Sequence, residues 1–175
     1  MILAVYSCST GDAETTITES SVSKQQTNAE GESFGKISIE MNAEIYANAK
    51  TQDGTIEFCN PERSDKDLRF HLLISDAELM RTIGHTGRGT QEQAKLEADS
   101  EYDPEKSYQT LFSSGLIRIG ESVSKITLGT LADGTKLPIG VYHVNLNIQA
   151  FSPETGEMFS LRVDYPTNLY IEAEE

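Results

Sequence analysis

Apolar and polar residues alternate along most of the chain beyond Gly35. Every second residue is apolar over residues 37–45 and again over residues 142–150, which is the period of a strand with one buried face. Shorter alternating runs lie at residues 55–59, 68–74, 108–119, 124–128 and 159–171. Turn-type residues such as Asp53-Gly54 separate these runs. The pattern predicts an all-β fold, an antiparallel β-sandwich of seven to eight strands.

Residues 76–107 depart from this alternation. They contain Gly84, Gly87 and Gly89, followed by good helix formers between residues 91 and 102 that offer little apolar face. We predict one long loop insertion with about two helical turns, laid over a sheet edge or a sandwich end. Long excursions from compact domains are often functional, so the insertion is a candidate location for a site.

The N-terminal residues have the pattern of a targeting signal followed by a tether. The apolar residues 1–7 end in Ser7-Cys8, which resembles the end of a bacterial lipoprotein signal peptide, where the cysteine is lipidated and becomes the first mature residue. The resemblance implies lipidation at Cys8. Residues 9–34 are almost entirely polar, which predicts a disordered tether. We divide the chain into residues 1–8, a tether at 9–34 and a β-sandwich domain at 35–175. An ordinary apolar N-terminus packed on the core is the alternative.

The C-terminal half carries a second resemblance. Its motifs are Thr110-Leu111-Phe112-Ser113-Ser114-Gly115-Leu116-Ile117, then Gly120-Glu121-Ser122, then Leu137-Pro138-Ile139-Gly140-Val141-Tyr142. Together they resemble immunoglobulin-like sandwich domains of Gram-positive surface lipoproteins, over about residues 35–173. The resemblance implies an immunoglobulin-like fold on the extracellular face of the cell membrane. Within the last motif, Tyr142 is expected to bury its ring and offer its hydroxyl to a nearby backbone group.

The charge and the cysteine content limit the classes of partner that the chain is expected to bind. The net charge is −14, from 28 acidic and 14 basic residues, and no cluster of Lys and Arg is visible for phosphate contacts. We therefore expect no nucleic-acid partner, and we attribute the charge to solubility. No apolar run approaches the length of a membrane-spanning helix, so the expected membrane contact is the lipid anchor. Two distant cysteines are not a disulfide framework, and we interpret Cys59 as a small packed residue.

Two sets of residues are candidates for binding. Glu97, Asp99, Glu101 and Asp103 alternate in the insertion, and alternating carboxylates can wrap Ca²⁺, although we favour a solvated acidic loop and expect no cofactor. The second set is the outward phase of the clearest strand, residues 141–151. Amides and an aromatic ring on a rigid sheet can meet sugar hydroxyls, and the alternative is an ordinary solvated face. The members of this set are His143, Asn145, Asn147, Gln149 and Phe151.

These observations favour a cell-surface lipoprotein that binds or supports a protein or glycan ligand without catalysis. No Ser or Cys has a local partner that would make it a nucleophile. One alternative is a structural or accessory subunit of an envelope complex, which should expose an apolar patch or an unpaired strand edge. Another is an enzyme with a site near residues 76–107, which would need a pocket and a convergent acid–base group there.

Overall fold

A computed structural model describes residues 22–27, 33–42 and 44–173. Within these residues strands predominate, which confirms the prediction of a β-rich fold. The nine strands are β1 Val22–Thr27, β2 Ser33–Met41, β3 Glu44–Asn48, β4 Asp53–Cys59, β5 Asp67–Ser75, β6 Tyr108–Ser113, β7 Ser122–Thr127, β8 Gly140–Phe151 and β9 Met158–Glu172. The two helices are α1 Asp76–Ile83 and α2 Thr90–Glu97.

The strands form a mixed sheet in the order β1-β2-β4-β3-β9-β8-β5-β6, and β7 pairs with β4. All neighbours are antiparallel except β3 and β9, which run parallel with Ile45 opposite Leu169. The expectation of an entirely antiparallel arrangement is therefore corrected. Both Ile45 and Leu169 are fully buried, so the parallel pair contributes its inward side chains to the core.

The alternating run at residues 37–45 belongs to two strands rather than one. β2 pairs with β4 through Met41 and Phe58. β3 pairs with a different part of β4 and also with β9. The alternation of buried residues continues from β2 into β3, because Ile39, Met41 and Ile45 are all buried. Periodicity alone therefore could not reveal the change of partner.

The turn before β4 lies earlier than Asp53-Gly54, which is inside the strand. The chain reverses over residues 49–52, and Gln52 has a positive φ of 65°. The side-chain amide of Gln52 donates to the carbonyls of Ala49 at 2.9 Å and Leu137 at 3.2 Å. Gly54 serves a different purpose, because a Cβ there would overlap the carbonyl oxygen of Tyr46.

The sheet curls around one hydrophobic core. The rings of Phe58 and Phe70 pack 4.7 Å apart, although β4 and β5 share no backbone pairing. Tyr142 is fully buried and its hydroxyl donates to the carbonyl of Pro138 at 2.9 Å, which confirms the expectation for this side chain.

β9 continues through Pro166 without interruption. The amide of His143 bonds to Glu78 rather than to β9, so His143 and Asn168 form a non-hydrogen-bonded pair. Two residues further, Asn145 and Pro166 form a pair of the same kind, and the nitrogen of Pro166 points away from β8. The pairing of β9 with β3 starts only at Asn168, so Pro166 removes no ladder hydrogen bond.

The insertion at residues 76–107 contains two helices, of which α1 was not expected. Ser75 caps α1 by accepting from the amide of Glu78 at 3.1 Å, and Gly84 ends it in the left-handed conformation. The helix buries Leu79 against the core. α2 buries none of its residues, in keeping with the weak apolar face of its sequence.

The carboxylate of Asp76 ties the insertion to the sheet. It is fully buried and accepts hydrogen bonds from Arg88 at 2.8 Å, the hydroxyl of Tyr102 at 2.9 Å and the side-chain amide of Gln109 at 3.0 Å. Arg88 and Tyr102 belong to the insertion, whereas Gln109 lies on β6. One carboxylate thus joins three segments, and its charge is balanced by the Arg88 guanidinium.

Part of the segment expected to be a tether is strand. β1 pairs antiparallel with β2, with Lys24 opposite Ile37. A polar sequence can form such a pair because the ladder uses backbone groups and needs no apolar side chains. Cys8 and the rest of the expected tether before Val22 lie outside the described residues. Among the described residues, none of the helices has the length and apolar character needed to cross a membrane.

Candidate binding site

An exposed row of side chains crosses β3, β9 and β8 on the outer face of the sheet. Tyr46 pairs with Tyr170, and Tyr170 pairs with Val141, so the three residues stand side by side. Tyr46 is 41% exposed and Val141 48% exposed, and Tyr170 is half-buried. The two rings stack with centroids 4.9 Å apart and planes 15° apart. We refer to Tyr46, Tyr170 and Val141 as the tyrosine row.

Glu44 fixes the tyrosine row from one side. It lies two residues before Tyr46 on β3, and its carboxylate accepts the hydroxyl of Tyr46 at 2.7 Å and that of Tyr170 at 3.1 Å. The hydrogen bond that Tyr46 donates to Glu44 is the main reason that the pKa of Tyr46 rises to about 12. The separate hydrogen bond that Tyr170 donates to Glu44 raises the pKa of Tyr170. Both phenols therefore stay protonated at neutral pH, and each proton is directed at Glu44.

A second, polar row lies next to the tyrosine row. Glu44 pairs with Asn168 across β3 and β9, and Asn168 pairs with His143 across β9 and β8. The Nδ1 of His143 lies 2.8 Å from the Oδ1 of Asn168. Because that amide oxygen only accepts, Nδ1 is the protonated nitrogen and Nε2 is the ring's remaining acceptor.

A cleft of about 330 Å³ opens where β5 leaves the sheet and becomes α1. The pairing of β5 with β8 ends at Leu73 and Asn145, so the first residues of β8, before Asn145, have no β5 neighbour. Glu78 on α1 replaces that neighbour and accepts the backbone amide of His143 at 2.8 Å. The cleft is lined by Ser75, Ala77, Glu78, Arg81, Glu105, Tyr108, His143, Val144, Asn145 and Pro166.

Among the ionisable groups that line the cleft, Glu78 accepts the most hydrogen bonds. Besides the His143 amide, it accepts from Arg81 at 2.7 Å and from the hydroxyl of Thr82 at 3.1 Å. Burial raises the pKa of Glu78, but the hydrogen bonds from Arg81, the His143 amide and Thr82 outweigh it, and the pKa lies below its usual range. A carboxylate that is ionised and occupied by several donors holds the cleft together and is poorly suited to accept a substrate proton.

Two of the five residues expected on the outer strand face line the cleft, namely His143 and Asn145. Asn147 is buried and donates to the carboxylate of Asp164 at 2.6 Å, and Gln149 is half-buried. Phe151 is buried, with the guanidinium of Arg69 5.1 Å from its ring centroid.

The tyrosine row and Glu44 were missed by sequence reasoning. Glu44 lies on the polar phase of the alternation at residues 37–45 and Tyr46 is the next position of that phase, which marks both as outward-facing. The alternation does not reveal that β3 lies beside β9, and this pairing brings Tyr170 to them. The sequence therefore indicated that both tyrosines face outward, but it did not indicate that they lie next to each other.

Most of the acidic residues considered as Ca²⁺ ligands make hydrogen bonds or ion pairs with neighbouring residues. Glu97 accepts from the amide of Gln93, Asp99 accepts the backbone amide of Glu101, and Asp103 pairs with Lys106 at 2.7 Å. Glu101 itself is exposed. Over residues 22–27, 33–42 and 44–173, no three His, Cys, Asp or Glu side chains are grouped so that they could hold a metal ion.

Cys59, at the end of β4, is disulfide-bonded and so is not a free thiol. The chain has two cysteines, and the other, Cys8, lies outside the described residues. Lipidation of Cys8 and a bond between Cys8 and Cys59 exclude each other, because one sulfur atom forms only one of the two links. The mass of the Cys8 peptide therefore distinguishes them.

The chain matches no protein-family model, and no curated protein matches its sequence. The fold and the geometry of the tyrosine row and the cleft therefore carry the functional argument.

Proposed function

We propose that this chain is a lipid-anchored cell-surface protein whose immunoglobulin-like β-sandwich binds a partner without catalysis. The partner contacts the outer face of β3, β9 and β8, which carries the tyrosine row and the adjoining cleft. The observation that carries the proposal is the tyrosine row itself, because exposed aromatic and aliphatic side chains lie together on rigid strands.

The order of the strands supports the immunoglobulin-like assignment. β2, β4 and β7 make one group of neighbours and β3, β9, β8, β5 and β6 make another, and the short pairing of β3 with β4 joins the two groups. The rings of Phe58 and Phe70 meet between these groups. Tyr142, near the start of β8, bonds back to Pro138, which is the arrangement of the tyrosine corner of such sandwiches.

The physical state of the tyrosine row supports binding. Tyrosine supplies a large contact area at low entropic cost, and these two rings are already held by stacking and by Glu44. A partner that covers them removes apolar surface from water without first having to order the side chains. Val141 extends the same surface toward the cleft.

The chemistry of the cleft supports a non-catalytic role. Glu78 is ionised and is used to bind Arg81, Thr82 and the His143 amide. His143 is oriented by Asn168, but a general base also needs a nucleophile or water held by a second group. The interactions of these residues serve to shape a surface.

Photo-cross-linking from the proposed face tests this function. Benzoylphenylalanine is introduced at Val141 in the full-length protein on producing cells, and separately at Glu154 in the exposed turn before β9 as the matched control. We expect an adduct from residue 141 that is absent or much weaker from residue 154. Equal yields from the two positions, or no adduct from residue 141, would contradict the proposal. The mass of the adduct also separates a single ligand from an envelope complex that holds this chain as an accessory subunit.

The anchor is tested separately. The full-length gene is expressed, and the N-terminal peptide from the membrane and soluble fractions is analysed by mass spectrometry without reduction. We expect a diacylglyceryl thioether on Cys8, in which case the disulfide of Cys59 is made to a second molecule and not to Cys8. A Cys8 peptide disulfide-linked to Cys59, or an unmodified Cys8 in soluble protein, removes the anchor from the proposal and leaves the binding face to its own test.

A further inference from the structure

We infer that the tyrosine row binds an arginine side chain presented by a basic segment of a partner protein. The inference deepens the proposed function, on which it rests, by naming the chemistry of the contact. It depends on the combination of stacked aromatic rings, carboxylates and an aliphatic neighbour in one row of the sheet.

The rings provide the first part of the site. A guanidinium attracts the face of an aromatic ring electrostatically, and its planar shape also stacks on that face. Tyr46 and Tyr170 stack on each other within 15° of parallel, so each covers one face of its neighbour and one face of each ring is left for a guanidinium. Because both hydroxyls donate to the Glu44 carboxylate, electron density on the rings increases, which strengthens attraction for a cation.

The carboxylates provide the second part. Each oxygen of Glu44 accepts one phenol proton and keeps a further lone pair, so the group can also accept from a guanidinium. Glu172 is the second acidic neighbour, since it pairs with Asn48 at the end of β3 and its charge acts on Tyr46. Two negative charges thus flank the rings, which suits a cation and disfavours an anion.

Val141 provides the third part. An arginine combines a charged head with an aliphatic stem that packs on apolar surface. Neighbouring strands lie about 4.8 Å apart, so a row across three strands spans about 10 Å, which accommodates the head over the tyrosines and the stem over Val141. The net charge of −14 adds long-range attraction for a basic partner.

A pair of peptides that differ only in charge tests the inference. The ¹⁵N-labelled protein is titrated with Ac-Ala-Arg-Ala-NH₂ and, separately, with the same peptide containing citrulline, the neutral isostere of arginine. We expect saturable shifts of the amides of residues 46, 141 and 170 with the arginine peptide, at an affinity about fivefold or more above that of the citrulline peptide.

Variants assign the effect to the two parts of the site. Glu44→Gln keeps an acceptor for the phenols and removes the charge, and Tyr170→Leu removes one ring, so each should weaken arginine binding about fivefold. Glu154→Gln, in a distant exposed turn, is the matched control and should leave it unchanged. The dispersion of each spectrum shows that the variant is folded.

Three results would overturn the inference: equal affinity for the two peptides, unchanged affinity in Glu44→Gln, or no shifts at residues 46, 141 and 170 with millimolar arginine peptide. The proposed function is judged by the cross-link from residue 141. An adduct without arginine preference would reject only the arginine contact, whereas the absence of an adduct would reject the binding face.

Discussion

Replacement of Asp76 by alanine removes the carboxylate on which the insertion converges. Its partners are the guanidinium of Arg88, the hydroxyl of Tyr102 and the side-chain amide of Gln109. The side chain of Asp76 is 0% exposed and that of Arg88 is 18% exposed, so little water can replace the lost hydrogen bonds.

The magnitude follows from the burial of this ion pair. Removal of one member of a buried pair leaves an uncompensated charge, which typically destabilises a protein by about 3 to 5 kcal/mol. For a domain of this size, roughly 3 °C of melting temperature corresponds to each kcal/mol, so the midpoint should fall by about 10 °C or more. The loss should be concentrated in residues 84–107, which depend on Asp76 for their attachment to β6.

Urea denaturation gives the free energy of unfolding, and hydrogen exchange gives the location of the loss. Asp103→Ala is the control, because Asp103 pairs with Lys106 on the exposed surface and such pairs contribute little. The expected result is a large loss for Asp76→Ala, faster exchange over residues 84–107 and almost no change for Asp103→Ala. A loss below about 1 kcal/mol for Asp76→Ala, or equal losses for the two variants, would refute the reasoning from burial.

Three further predictions concern the supports of the site. Tyr142→Phe, which removes the hydroxyl bonded to the Pro138 carbonyl, should lower the free energy of unfolding by about 1 kcal/mol in urea denaturation, and an unchanged value would contradict the role of that bond. Ser75→Ala, which removes the cap of α1, should cost about 1 kcal/mol and speed exchange of the first helical amides, and neither change should occur if the cap is unimportant. Since the folded state lowers the pKa of Glu78, its stabilisation is present above the unfolded pKa of about 4.3 and disappears as the pH falls through the lower folded value. Glu78→Gln should therefore lose less stability than the wild type between about pH 5 and pH 2, and parallel pH profiles would contradict this.

The alternation in the sequence was sufficient to identify β8 and its buried face, because Tyr142, Val144 and Leu146 follow the period of a half-buried strand. It was not sufficient to find the pairing of β3 with β9, since their residues are separated by more than a hundred positions and share only an inward phase. The short α1 was missed, although the Ser75 cap and Gly84 mark its ends. Eight residues provide too few turns for a helical period to be distinguished.

The same limitation applies to the candidate site. The outward phase of β8 correctly places His143 and Asn145 on the surface, where they line the cleft. It does not show that Asp164 from β9 covers Asn147, or that Arg69 from β5 covers Phe151. Whether an outward residue reaches water depends on the side chains of the strands beside it, which the alternation of one strand does not specify.

If a partner binds the outer face of β3, β9 and β8, that face should be covered on intact cells. Hydroxyl-radical footprinting compares the full-length protein on producing cells with the purified protein. Tyr46 reports the proposed binding face, and Met158, which is exposed at the far end of β9, is the internal control. We expect oxidation of Tyr46 to fall severalfold on cells while that of Met158 stays the same. Equal oxidation of Tyr46 in both states would show that the face is unoccupied and that no partner binds there.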